Sequence, residues 1–310
     1  MDTHFIFWVI FAVVVSAMFY VDLYATEHRQ GTVGIKTSLM WSGIWIGAAL
    51  LFNLAIYLFM EGGHSKSLEF LAGYIIEKSL SVDNLFVFIM IFKVMGIEEK
   101  NQPHVLKWGI LSAIVMRIVF ILAGVALISL FHPVIYIFGI LLFYAAYKMA
   151  FGGEEKINLE HNPLFRFASR KFNLVSNYNG KKFFVKQQGK TYITPLFLTF
   201  LLIESADLIF AVDSIPAVIA ITKDIFVIIT SNIFAVLGLR ALYFALAGIV
   251  KLFTYLKYGV AVILFYVGVK MILSDIHPIP TEISLLLIVF FLAASIILSL
   301  VFPKKEEPER

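Results

Sequence analysis

Residues 77 to 88 read EKSLSVDNLFVF, so two carboxylates and one ammonium group lie in a run that is otherwise strongly apolar. Residues 204 to 215 read ESADLIFAVDSI and repeat the pattern with three carboxylates. Charged groups in apolar surroundings need a partner or a bound ion, because an unpaired charge is costly to remove from water. These two stretches are therefore the first candidates for a functional site, and the segments around them determine the fold.

The composition indicates a membrane protein, since 60% of the 310 residues are hydrophobic and only 15% are charged. A helix that crosses a bilayer needs about 20 mostly apolar residues. Nine segments meet that condition: 5–24, 39–60, 70–92, 105–130, 133–150, 193–221, 225–247, 254–273 and 283–302. The sequence therefore predicts an all-α polytopic protein with a single transmembrane domain over residues 1–310 and about nine transmembrane helices.

The distribution of basic residues predicts the orientation, because cytoplasmic loops retain lysine and arginine. With the N-terminus outside and the C-terminus in the cytoplasm, 19 of the 25 basic residues fall on the inner side and three on the outer side. The net charge of +4 therefore reflects the basic residues on the cytoplasmic side and does not indicate nucleic-acid binding. The long connection 151–191 becomes a cytoplasmic loop, in which the Asn179-Gly180 pair predicts a small hairpin. Its basic residues would attract anionic membrane lipid.

Lys107, Lys148, Lys257 and Lys270 lie within four residues of a span end and are assigned to the loops, which leaves nine charged residues inside the predicted spans. The acids are Asp22, Glu77, Asp83, Glu204, Asp207 and Asp213, and the bases are Lys78, Arg117 and Arg240. A charge at the bilayer centre costs about 2.5 to 3.5 kcal/mol even on the lenient insertion scale. The excess of acids over bases indicates that the missing partner is a cation or protons.

An alternative explanation is a lattice of ion pairs in which each base meets one acid and the remaining acids are protonated. This accounts for three of the six carboxylates. Asp22 is the weakest site candidate, because it lies at the predicted cytoplasmic end of the first helix. It could equally be an interfacial group or part of a site.

Helical periodicity sorts the polar groups into faces, at about 100° per residue. Two sets each share one helix face: Glu77, Ser81 and Asn84 in the earlier motif, and Glu204, Asp207, Ala211 and Ser214 in the later one. Asp83 comes six residues after Glu77, and Asp213 comes six residues after Asp207. Each therefore lies about 120° round the helix from that acid. Pro216 predicts a helix break in the later motif, since proline removes the hydrogen bond to the carbonyl of Val212. Freed carbonyls beside a carboxylate are suitable ligands for a hard cation.

The two motifs belong to a longer repeat. Aligning SVDNLFVF with AVDSIPAV matches Asp83 to Asp213, and MRIVFILAG then matches LRALYFALAG, which relates Arg117 to Arg240. Helices three to five and six to eight are the predicted copies, and they run in opposite directions. Inverted repeats with polar groups near the membrane centre are typical of transporters that work by alternating access.

The motifs resemble those of the TerC family, within the LysE-like transporter superfamily. The similar segments are GYIIEKSLSVDNLFVF, WGILSAIVMRIVFI, NPLFRF and the run that begins TPLFLTFLLIESADLIFAVDSIPAV. ESAD stands where ELTD is usual in the family, and both acids are kept.

The resemblance implies a bacterial inner-membrane protein that exports Mn²⁺. It also implies that the acids of the two motifs are the ion ligands: Glu77, Asp83, Glu204, Asp207 and Asp213. Other members are linked to tellurium resistance, to the response to alkaline pH or to assembly of membrane proteins.

The chemistry of the predicted site agrees with a hard divalent ion. The candidate metal ligands are Glu77, Asp83, Asn84, Glu204, Asp207, Asp213 and Ser214, with Lys78, Arg117 and Arg240 balancing charge. Oxygen ligands suit Mn²⁺, Mg²⁺ or Ca²⁺, and the chain has no cysteine to bind softer metals. The choice of Mn²⁺ rests on the resemblance, so Mg²⁺ and Ca²⁺ stay open.

The leading hypothesis is therefore a secondary transporter that exports a divalent cation, with protons as the counter-ion. The alternative is a non-transporting membrane partner in tellurite or stress resistance or in membrane-protein assembly. A third reading, an intramembrane enzyme with an aspartyl pair, has no support from a nucleophile or phosphate-loop motif. We therefore expect no enzyme activity. The sequence leaves protein partners and oligomeric state open.

Overall fold

The structure is a computed structural model that describes residues 3–27, 34–131, 133–151, 173–174, 180–187, 190–247, 255–273, 276 and 279–302. Most of these residues are helical. The helices are α1 (Thr3–Glu27), α2 (Ile35–Phe59), α3 (Gly63–Val94), α4 (Gln102–Leu130), α5 (Val134–Phe151), α6 (Pro195–Ile219), α7 (Ile225–Val236), α8 (Leu239–Ala247), α9 (Leu256–Ile272) and α10 (Thr281–Val301). A single 3₁₀ turn, Glu99–Asn101, precedes α4.

The prediction of an all-α polytopic membrane protein is confirmed. Within the described residues, five helical segments are long and apolar enough to cross a membrane: His4–Asp22, Ile35–Phe59, Glu99–Leu130, Ile225–Ala247 and Ile283–Val301. Helices in lipid satisfy their own backbone hydrogen bonds, which is why apolar segments of this length fold this way. Each predicted segment overlaps a helix, and the segment 225–247 contains two, α7 and α8.

Helix packing places α3 and α6 at the centre. The first helix of each predicted copy packs against the second helix of the other copy, so α3 contacts α7 and α6 contacts α4. In addition, α3 contacts α6, and α5 contacts α9. If α3, α4 and α5 are interchanged with α6, α7 and α9, respectively, the same pairs of helices are in contact. The arrangement brings both acidic motifs to the interface between the copies.

A small sheet precedes α6. Its strands are β1 (Asn173–Leu174), β2 (Phe184–Gln187) and β3 (Lys190–Ile193), in the order β1-β3-β2. Asn179 of the expected hairpin lies outside the described residues. The described strands form an antiparallel pair elsewhere, between β2 and β3, while β1 pairs parallel with β3. The sheet packs onto α6. The ring of Phe184 lies 4.6 Å from that of Phe197.

The predicted break at Pro216 is wrong, since α6 continues to Ile219 with Pro216 inside its last turn. Proline has no N–H for the carbonyl of Val212, but the loss of this one bond does not end the helix. The break occurs instead between α7 and α8. There Leu237 is extended with ψ 131°, and Gly238 is left-handed with φ +84°.

Gly238 is expected to be intolerant of a side chain. A Cβ atom there would lie 2.6 Å from Cδ1 of Trp45, whereas Gly96 also has a positive φ but open space around it. The positive φ disfavours a side chain at both positions, so the difference in stability loss between the two variants measures the steric conflict with Trp45. We expect Gly238→Ala to lower the free energy of unfolding by about 1 to 3 kcal/mol more than Gly96→Ala. Unfolding in mixed micelles measures both variants. Equal losses would show that Trp45 moves aside freely.

Candidate metal and ion-pair site

Arg117 on α4 holds the two acidic motifs together. Its Nη1 donates to Oε1 of Glu77 on α3, and its Nη2 donates to Oδ1 of Asp207 on α6 at 3.2 Å. Arg117 and Glu77 are 0% exposed and Asp207 is 4% exposed. Carboxylates from both predicted copies therefore meet at one guanidinium inside the protein. A planar guanidinium can serve two acids at once, which a lysine does less well.

The neighbouring turns extend this polar region. Ser81, one turn after Glu77, donates to Glu77 Oε1 at 3.3 Å, as expected for residues on one helix face. Glu204 lies one turn before Asp207 and faces α4, where a Cβ atom on Gly109 would lie 3.5 Å from Glu204 Oε1. That distance is an ordinary van der Waals contact, so α4 and α6 lie close together at Gly109 and Glu204.

Several buried oxygen atoms of this region have no hydrogen-bond partner within the described part of the chain. They are Glu77 Oε2, Glu204 Oε1, Asp207 Oδ2 and Ser214 Oγ. Buried polar atoms in proteins normally have a partner, because leaving one unpaired costs free energy. Acceptor atoms without donors are what a bound cation, a proton or water would satisfy.

The predicted metal ligands are only partly brought together. Glu77 and Asp207 meet at Arg117, while Asn84 and Ser214 are buried farther along α3 and α6. The side chains of Asp83 and Asp213 lie outside the described residues. Among the side chains that are described, no three acids or histidines lie close enough to hold a metal ion. Among the side chains that are described, the arrangement is therefore a pair of acids bound to arginine.

Arg240 has a different partner from its repeat counterpart. Its Nε lies 3.1 Å from Oδ2 of Asp22 on α1, and its Nη2 donates to the backbone carbonyl of Asp22. Asp22 is 7% exposed, so it is a buried ion-pair member and not a solvated interfacial group. The break at Gly238 separates Arg240 from α7, and the expected equivalence of Arg117 and Arg240 does not extend to their contacts.

The sequence predicts that Lys78 balances the charge of a carboxylate, but its described hydrogen bond is to a backbone carbonyl. Its Nζ donates to the backbone oxygen of Ala235 at 3.1 Å, which belongs to the last turn of α7. Ammonium groups commonly stabilise the carbonyl end of a helix. Lys78 therefore connects α3 to the end of a helix that stops inside the protein.

Sequence reasoning missed two residues beside the acids, Gly109 and Ser112. Ser112 on α4 interacts with Glu204 and also donates to the carbonyl of Trp108 at 2.8 Å. Small residues are common where transmembrane helices approach closely, so neither carries a distinctive signal on its own. The positions become informative only once α4 is known to pack against α6.

These features define a polytopic membrane protein whose buried acids and bases join α3, α4 and α6. The chain belongs to the TerC family: residues 62–307 match the family described as "Integral membrane protein TerC family".

Its relatives extend over nearly the whole chain. An "Uncharacterized membrane protein STKORF319" from Myxococcus xanthus is 42% identical over 95% of this chain and 92% of its own length. The "Putative membrane-bound redox modulator Alx" of Escherichia coli (strain K12) is 43% identical over 90% of this chain and 89% of its own length. An "Uncharacterized membrane protein" from Rickettsia bellii is 38% identical over 95% of this chain and 97% of its own length. No solved structure matches the chain significantly.

Proposed function

We propose that this chain is a secondary transporter of the bacterial inner membrane, with its N-terminus outside, that exports a divalent cation from the cytoplasm. One observation carries the proposal: Glu77 and Asp207, from the two predicted copies, meet at Arg117, and each keeps one oxygen without a hydrogen-bond partner among the described residues. Ionisable groups buried within membrane spans are expensive and mark ion pathways. Their position between the copies is where transporters with inverted repeats bind their substrates.

The charges of this region suit a doubly charged ion. Glu77, Glu204 and Asp207 contribute three negative charges when ionised and Arg117 contributes one positive charge, so the formal charge is 1 − 3 = −2. One divalent cation offsets that charge, and so do two protons, so exchange of the ion for protons keeps the net charge of these four residues the same in both directions of the cycle. Asp83 and Asp213, which this sum leaves out, would add negative charge and strengthen the preference for a cation. Neutrality matters because a net charge inside the membrane is costly.

In this scheme, Arg117 supplies the positive charge that balances Glu77 and Asp207 when no metal ion is bound. The guanidinium holds Glu77 and Asp207 together, so an entering ion has to displace it from at least one of the two acids. Because the acids lie on α3 and α6, that exchange changes the contact between the two copies. The contacts among α3, α4, α6 and α7 stay the same when the two predicted copies are interchanged, which supports an inverted repeat. The step thus couples ion binding to movement of one copy against the other.

We further propose Mn²⁺ as the transported ion. The oxygen ligands favour a hard cation, and the resemblance of the motifs to those of the TerC family selects Mn²⁺ within that set. Mg²⁺ and Ca²⁺ are the competitors to test in parallel.

A non-transporting role remains the alternative, since some relatives carry the name of a redox modulator. This chain has no cysteine, so it cannot supply thiol redox chemistry itself. Hydrogen bonds between transmembrane helices contribute about 1 kcal/mol or less each. Holding helices together is therefore a weak reason to keep six acids inside the membrane. Deleting the gene should raise intracellular Mn²⁺ if the chain exports it and leave it unchanged if the chain only supports other proteins.

Asp83 and Asp213 provide the first test of the transport proposal. We expect Asp83→Asn and Asp213→Asn each to abolish Mn²⁺ efflux from cells, because an amide cannot supply the negative charge that offsets the ion. Membrane insertion and expression should match the wild type. Glu98→Gln is the matched control, since Glu98 is a solvent-exposed acid paired with Lys100 outside the spans. Normal efflux from both aspartate variants would remove these residues from the mechanism.

A further inference from the structure

Four polar side chains join α3 to the loop between α6 and α7 at one end of the protein. Lys66 and Glu69 lie in the first two turns of α3, and Thr222 and Asp224 lie in the loop that leads into α7. The Thr222 hydroxyl donates to Glu69 Oε2 at 2.6 Å, and Lys66 Nζ lies 3.2 Å from Asp224 Oδ2. We call these two contacts the outer latch, because the predicted topology places this end of the protein outside.

Each side of the outer latch is held in place by local hydrogen bonds. Asp224 caps α7, because its Oδ1 accepts from the backbone N–H of Phe226 at 2.9 Å. The Thr222 hydroxyl that donates to Glu69 also accepts from the backbone N–H of Asp224 at 3.1 Å. On α3, Ser65 donates to Glu69 Oε1 at 3.0 Å. The two sides are therefore ordered separately, and the outer latch is where they meet.

The outer latch lies on the side of α3 that leads to the buried acids. Glu69, Gly73 and Glu77 are spaced four residues apart, so they follow one side of the helix. At 1.5 Å per residue, Glu69 is about 12 Å from Glu77 along the helix axis. Between them, a Cβ atom on Gly73 would lie 2.9 Å from Ser231 Oγ and 3.1 Å from Val218 Cγ1. Between the latch and the ion-pair site, α3 is therefore in direct contact with α6 and α7.

The interface beneath the outer latch is closed in this structure. Val218, Ser231 and Glu77 are each 0% exposed. A cation at the buried acids would therefore have to part α3 from α6 and α7 to reach the outside. We propose that the outer latch is the gate for that step, and that α3 separates there from the α6–α7 loop when the cation leaves. This inference rests on the proposed transport function and assigns its outer gate.

The strength of the outer latch agrees with this role. The side chains of Lys66 and Asp224 are 23% and 24% exposed. Partly exposed pairs contribute little to stability, because water competes for the same groups. Breaking the outer latch is therefore much less costly than breaking the buried pairs at Arg117. A gate needs this property, since its contacts have to break and form again in every transport cycle.

A single cysteine beneath the outer latch reports its opening. The chain has no cysteine, so Ser231→Cys provides the only thiol. Its reaction with a charged, water-soluble maleimide in nanodiscs measures how often water reaches this position. We expect Lys66→Met combined with Thr222→Val to increase the labelling rate about fivefold, because loss of both weak contacts favours the open state. An unchanged rate in the folded variant would overturn the proposal.

Lys100→Met is the matched control for the labelling experiment, since Lys100 forms an exposed pair with Glu98 outside the outer latch. It should leave the labelling rate of Ser231→Cys unchanged. An equal increase in both variants would indicate general loosening of the fold and would contradict a gate at the outer latch. If the double variant does not fold, Lys66→Met alone is compared with Lys100→Met, and a faster rate in the former is again the expected result.

Locking the outer latch tests its role in transport. A reversible bis-methanethiosulfonate linker can bridge Lys66→Cys and Asp224→Cys in the cysteine-free chain. We expect the bridge to reduce Mn²⁺ flux in proteoliposomes to the background of protein-free vesicles, and a reducing agent to restore it. The same linker on Lys66→Cys alone should leave the flux unchanged.

The two experiments separate failure of the gate from failure of the transport function. Full Mn²⁺ flux through the bridged protein would overturn the gate while leaving transport intact. A wild type without any flux would instead refute transport, and the labelling rates would then decide whether the outer latch opens.

Discussion

Replacing Arg117 with methionine is expected to lower the free energy of unfolding by about 3 to 5 kcal/mol, the range typical for removing one partner from a buried ion pair. The reason is that Glu77 and Asp207 would then be two buried carboxylates with no cation between them. Protonation of the acids could relieve part of this cost. Unfolding of the purified protein in mixed micelles measures the loss.

The triple variant Glu77→Gln, Arg117→Met, Asp207→Asn is the control for that result. It removes all three charges of this cluster, so none of the three positions is left as an unpaired ion. Replacing a buried ion pair by neutral groups is often close to neutral for stability. We therefore expect the triple variant to recover most of the stability that Arg117→Met loses. If the triple variant is as unstable as the single one, Arg117 contributes packing and not charge.

Glu204→Gln should have the largest effect on transport with little effect on folding. Within the described residues Glu204 forms no salt bridge with a base, and its Oε1 has no hydrogen-bond partner. Glutamine has nearly the same shape, so no ion pair is broken and no cavity is created. The amide cannot offset a divalent ion, however, and we expect Mn²⁺ flux to fall to the background of protein-free vesicles.

Stability provides the internal control for Glu204→Gln. Removing a buried carboxylate without a cationic partner should leave the unfolding midpoint unchanged or slightly raised. Loss of flux together with a stable fold would separate the role of Glu204 in binding from any structural role. Wild-type flux from this variant would exclude Glu204 as an ion ligand and leave only the acids at Arg117 and the two aspartates of the motifs.

The central architecture could be predicted from the sequence because the signals are local. Apolar segments of sufficient length predict helices, and a spacing of four residues places Glu77 and Ser81 on one face, where they form a hydrogen bond. The excess of buried acids over bases predicts a bound cation or protons as their further partner, and that stays a prediction. The described contact is an ion pair in which two acids share Arg117.

Other contacts depend on where a helix stops, which the local pattern indicates poorly. Pro216 removes one backbone hydrogen bond, yet α6 continues through it to Ile219. Gly238 reads as an ordinary small residue, yet it takes a left-handed conformation against Trp45 and ends the regular helix. Because of that break, Arg240 reaches Asp22 and Lys78 reaches Ala235. Neither pairing follows from sequence spacing.

Uptake of Mn²⁺ by proteoliposomes, with and without an imposed pH gradient, tests the central claim most directly. The account predicts that the purified protein alone moves Mn²⁺, that a proton gradient drives the flux, and that the flux is lost in Glu204→Gln. Competition with Mg²⁺ and Ca²⁺ in the same vesicles gives the selectivity. If vesicles with folded wild-type protein take up no more Mn²⁺ than empty vesicles under either condition, the buried acids do not serve transport and the chain acts through a partner.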